Sequence, residues 1–125
     1  MMNAYEQYKA NSINTMTRGE LLIMVFDELI KKLNRSIVLM ENKDFEQAKI
    51  QIDKSKKIIT YLMETLDEHY KGANDLLELY MFFYRELIKA AGYSDAKYIN
   101  EIMPMIKDLR NTWAEADKIA KQSKE

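Results

Sequence analysis

No cysteine occurs in the 125 residues, which removes disulfides and thiolate metal sites and is compatible with a reducing compartment. Glycine occurs three times and proline once, too few breakers for the tight turns of a β-fold. A single histidine leaves carboxylates as the only other ligands for a transition metal. Neither sign of charge dominates: 19 basic and 20 acidic residues are interspersed, for a formal net charge of −1. That balance gives no electrostatic footprint for nucleic acid or anionic lipid. Long apolar runs are missing as well. The longest, Leu21 to Phe26, is far too short to span a bilayer. The stretch from Met1 to Tyr8 lacks the apolar core of a signal peptide. The expected address is cytoplasmic, with no membrane insertion.

What the chain does have is helical periodicity. Apolar residues make up 47% and charged residues 31%, a composition that folds. Thr17-Arg18-Gly19-Glu20 reads as a capping box. Behind it Leu22, Phe26, Leu29, Leu33, Ile37 and Met40 recur in steps of three and four, which predicts a helix over 18–41. Asp44 with Gln47 opens a second helix, its stripe running through Ala48, Ile52, Ser55, Ile59, Leu62 and Leu66. Gly72 marks the next break, and a third helix carries Leu76, Tyr80, Phe83, Leu87 and Ala91 to an expected end at Gly92. Ser94 or Asp95 caps a fourth with Ile99, Ile102, Ile106, Leu109, Trp113, Ala116 and Ala120 on one stripe. Pro104 lies inside that stripe and predicts a kink, and the lysine-rich stretch after Ile119 is expected to fray. The connections are short, so the predicted fold is all-α: an antiparallel up-down four-helix bundle. It forms one domain over 1–125, with a short N-terminal capping segment over 1–16 and the bundle over 17–121.

No arrangement of residues carries chemistry. A di-metal carboxylate bundle needs inward Glu-x-x-His pairs, and Leu66 stands three residues before His69. His69 beside Asp67 and Glu68 reads as a helix-end residue. No glycine-rich phosphate loop is present. The expectation is a protein that is not an enzyme and uses neither metal nor cofactor.

More apolar residues exist than one core face per helix requires. On the first helix Met24 points roughly opposite the core, with Leu21 and Val25 at its flank. The second has Ile50, Ile58 and Tyr61 off the main face; the third has Leu79 to one side and Phe82 roughly opposite the core. Clustered surplus of this kind marks a docking surface or a contact between copies. Ahead of the first helix, Tyr5 and Tyr8 stand one turn apart with Ile13 following, anchors on a segment too short to be helical unless docked.

At these residues the sequence becomes recognisable. Ala4-Tyr5-Glu6-Gln7-Tyr8-Lys9, then Asn11-Ser12-Ile13-Asn14-Thr15 and Thr17-Arg18-Gly19-Glu20-Leu21, resemble the opening of the flagellar export chaperone family FliS. The likeness continues through Met24-Val25-Phe26-Asp27, Leu62 to Asp67, Leu79-Tyr80, Tyr84-Arg85 and Leu109 to Trp113. It departs at Arg18, where the family often has proline, and at Phe26-Asp27-Glu28, where it often has Tyr-Asp-Gly. The resemblance implies a chaperone that binds the disordered C-terminal segment of flagellin, prevents premature polymerisation and delivers it to the export apparatus. It also implies that the segment holding Tyr5 and Tyr8 covers part of the site when cargo is absent. The alternative is a structural or oligomeric bundle whose surplus faces pair with copies of itself, and a homodimer of the cargo-free chain is a related expectation.

Overall fold

The computed structural model describes residues 3–7, 11 and 16–123. Tyr8 and Ile13 lie outside the described residues. Among the described residues four long helices follow in order: α1 Arg18–Glu41, α2 Phe45–Glu64, α3 Ala73–Tyr93 and α4 Lys97–Ser123. Among the described residues there is no strand. Residues 4–7 form a further helical turn, started by the Asn3 side chain, which accepts from the Glu6 amide at 2.8 Å.

The helix starts are where the capping residues put them. Thr17 Oγ1 accepts from the Glu20 amide at 3.1 Å, which satisfies one of the orphan N–H groups of the first turn. The return half of the box is a side-chain bond, from the Thr17 hydroxyl to Glu20 Oε1 at 3.2 Å. Asp44 caps α2 by accepting from the Gln47 amide. Of the two candidates before α4, Asp95 serves, accepting from the Lys97 amide at 2.9 Å. Gly72, at φ 90°, turns the chain into α3.

Helix ends are less simple. The expected stop at Gly92 is corrected: α3 continues to Tyr93 and the left-handed residue is Ser94, at φ 50°. Lys43 plays the same part after α1, at φ 61°, and the Asp44 amide reaches back to the Leu39 carbonyl at 2.8 Å to close a Schellman-type turn. Two further expectations change. His69 is not on α2, which ends at Glu64; it lies exposed in the connection, its amide held by Asp67 at 2.9 Å. The stretch after Ile119 is helical to Ser123. Helix α4 runs through Pro104 as one element, so the proline divides nothing.

Helix α1 packs on α2 and α4, and α3 closes the square against the same two. Cross-links between ends fix the antiparallel sense. Arg18 at the start of α1 donates to the Thr65 carbonyl after α2 at 3.1 Å. Lys121 near the end of α4 pairs with Glu20 near the start of α1 at 3.1 Å. At mid-height Arg110 grips Asp27 through two bonds, of 2.8 and 3.3 Å. The core inside the square is Phe26, Leu29, Leu33 and Met40 from α1, Ile52, Ile59 and Leu62 from α2, Tyr80, Phe83 and Leu87 from α3, and Ile99, Ile102 and Ile106 from α4. Each large apolar side chain sealed there contributes about 1.5–3 kcal/mol over its exposed state. Two buried serines sit in the same layers. Ser36 and Ser55 each bond back to the carbonyl four residues earlier, at 2.9 Å, so neither hydroxyl is left unsatisfied.

Candidate partner-binding cleft

The core thins at the end of the bundle where α1 and α3 begin and α2 and α4 finish. A cleft of about 370 Å³ opens there, lined by Leu21, Leu22, Tyr61, Leu66, Leu76, Tyr80 and Trp113, among others, with Arg18, Asp67 and Tyr70 also on its wall. Its floor is aromatic. The Tyr80 ring is buried and leans on Phe26 with centroids 6.4 Å apart, while Tyr70 tilts against Trp113 at 5.9 Å. Burial, with a smaller push from Tyr70, drives the Tyr80 hydroxyl far above the ordinary tyrosine range. It is therefore a neutral hydroxyl at any physiological pH.

The rim is pinned. Arg18, tied to the Thr65 carbonyl, holds the start of α1 against the end of α2. On the far side of Trp113 a second, shallower cleft of about 340 Å³ lies between the start of α1 and the last turns of α4, including Thr17, Gly19, Ala116, Ala120 and Lys121. Lys121 bridges Glu20 and Asp117 at 3.1 and 3.0 Å, and those two carboxylates raise its pKa. Gly19 matters here because a Cβ in its place would run into the Asp117 carboxylate. Among the described residues no cluster of three or more His, Asp or Glu could hold a metal ion, and no helix is long and apolar enough to cross a membrane.

The residues singled out in the sequence fall into three places. Leu21 and Tyr61 come together in the first cleft. Val25 and Ile58 are half-buried against the core, on the flanks of α1 and α2 where helical phase turns these two helices toward each other. Met24 is half-buried nearby on α1, and Ile50 is 41% exposed on α2. Leu79 and Phe82 form a separate pair, half-buried on α3. The placement of Phe82 opposite the core is corrected: its ring packs onto the core beside Phe83, at 6.2 Å, because a long aromatic side chain reaches inward from the helix flank. Tyr5 is 72% exposed and lines neither cleft.

The family model described as Flagellar protein FliS matches residues 1–120. The chain belongs to the FliS family. It is 29% identical over 116 residues to the flagellar secretion chaperone FliS of Bacillus subtilis, covering 93% of this chain and 87% of that one. The flagellar secretion chaperone FliS of Escherichia coli is 25% identical over 117 residues, with 90% and 86% covered. The corresponding Campylobacter jejuni chaperone is 27% identical over 114 residues, with 90% and 89% covered.

The cleft's main walls, Trp113, Tyr80, Leu66 and Leu76, do not show as surplus in the sequence because all four fall on core stripes. Nothing in periodicity distinguishes a stripe position inside the square from one at its open end. The available signal is length: the stripe of α4 continues to Ala120, past the level at which α3 begins.

Proposed function

We propose that this chain is an export chaperone that binds the disordered C-terminal segment of flagellin, keeps it from polymerising prematurely and passes it to the flagellar export apparatus. The observation that carries this reading is an open, ring-walled apolar cleft at the end of a bundle whose family match runs from residue 1 to 120. A disordered segment must bury extensive apolar surface to offset the entropy it loses on ordering. Leu21, Tyr61 and Trp113 in the cleft, with Met24, Val25, Ile50 and Ile58 along α1 and α2, supply a path longer than the cleft alone. Leu79 and Phe82 extend it around α3. The N-terminal segment joins α1 at Thr17, on the wall of the second cleft, a position suited to competing with cargo.

The test is to mix the protein with a flagellin C-terminal peptide and measure mass by light scattering. A one-to-one complex is the expected result. A chain that self-associates through the same faces and ignores the peptide would instead support the structural-bundle alternative. Membership of the FliS family holds whichever outcome is found.

A further inference from the structure

Among the described residues, buried side-chain polar groups are satisfied with one exception. Nε1 of Trp113 is shut off from solvent and has no hydrogen-bond acceptor. A buried N–H without a partner is destabilising, and Trp is normally buried only where its N–H finds one. The bundle satisfies other buried donors within their own helix, as Ser36 and Ser55 show. The orphan is also not in the packed middle of the core. Trp113 lines both clefts, and the ring set against it, Tyr70, stands 48% exposed on the connection between α2 and α3.

We propose that the Trp113 indole N–H is a specificity donor that takes a main-chain carbonyl of the bound cargo, with Tyr70 moving aside to admit it. This rests on the chaperone reading and adds what the cleft recognises. An indole N–H donates and never accepts, so the incoming group is an acceptor. The cleft's walls are apolar, and its guanidinium, Arg18, is already engaged with Thr65, so a neutral oxygen is favoured over a carboxylate. The most abundant neutral acceptor on an unfolded polypeptide is the backbone carbonyl. In the interior of a formed helix those carbonyls are spent on the helix itself; only its last turn has free ones. A single buried donor in an apolar cleft therefore discriminates unfolded or frayed chain from folded helix, whatever its sequence. A chaperone that must hold its cargo before assembly needs that distinction.

Trp113 is the only tryptophan, so the 15N-labelled protein gives a single indole N–H resonance. On saturation with a flagellin C-terminal peptide, that resonance should move downfield, the signature of a newly formed hydrogen bond. In a second arm the sole tryptophan is replaced biosynthetically by β-(3-benzothienyl)alanine, which keeps the ring shape and removes the N–H. Thermal melting should be preserved or raised, and peptide affinity should fall about five- to tenfold, the effect of one net hydrogen bond. A complex that forms with the indole resonance unmoved overturns the proposal, as does an isostere that binds equally well. So does a free protein whose indole N–H is already downfield. Failure of the unmodified protein to bind any flagellin peptide would overturn the chaperone reading together with this one.

Discussion

Ile50 and Phe82 are both apolar residues within helices, yet substitution should separate them. Ile50 is 41% exposed on α2, so Ile50→Glu should shift stability by no more than about 0.5 kcal/mol, the range of ordinary surface changes. Phe82 packs half-buried on the core beside Phe83. Phe82→Glu places a carboxylate against apolar surface and should destabilise by about 2–4 kcal/mol. Urea denaturation of both variants gives the comparison, and equal midpoints would show that the Phe82 ring contributes no packing. Backbone strain gives a second prediction at this scale. Lys43 and Ser94 hold φ of 61° and 50°, a region that crowds any Cβ. Lys43→Gly and Ser94→Gly should each stabilise by up to about 1 kcal/mol, read as a rise in the melting temperature. A fall in both would mean that the lysine and serine side chains make stabilising contacts that outweigh the strain.

Element boundaries show what local chemistry encodes. The starts of α1 and α2 were legible because Thr17 and Asp44 sit where orphan amides need an acceptor. The end of α3 was not. Gly92 is the residue best suited to a left-handed turn, but tertiary packing carries the helix past it: Ala90 is sealed in the core, Tyr93 stacks on Tyr98 at 5.7 Å, and the turn falls on Ser94. The cleft was half legible for a related reason. Leu21 and Tyr61 stand out as surplus, whereas Tyr80 and Trp113 fall on core stripes, and only the open end of the bundle makes them walls of a cleft as well. Pro104 is the element-scale irregularity that invites a measurement. It is exposed, two turns into a long helix, where it removes one backbone bond and crowds the preceding turn. Pro104→Ala should stabilise the protein by about 1–3 kcal/mol with no change in circular dichroism at 222 nm beyond a small gain. If the variant is less stable, the proline ring has a packing role that its exposure does not suggest.

At the scale of the molecule, the two ends of the square are unequal. One is closed by the short connections after α1 and α3; the other holds both clefts and receives the N-terminal segment at Thr17. That geometry makes deletion of residues 1–9 informative. Residues 3–7 are exposed, and Tyr5, at 72% exposure, touches neither cleft wall. Removing them therefore takes no described side chain from the core, and urea stability should stay within about 0.5 kcal/mol. If the segment competes with cargo, deletion removes the population that cargo must displace, and affinity for a flagellin C-terminal peptide rises by that fraction. If Tyr5 and its neighbours are idle, affinity stays the same. Both cases predict binding at least as tight as that of the intact chain, measured by isothermal titration. Weakening by more than about tenfold, or 1.4 kcal/mol, would mean that the tyrosines hold cargo directly, folding down over it once it is bound. That result would reverse the role of the segment from competitor to clasp, and would move the cargo path from the cleft alone onto the chain in front of α1.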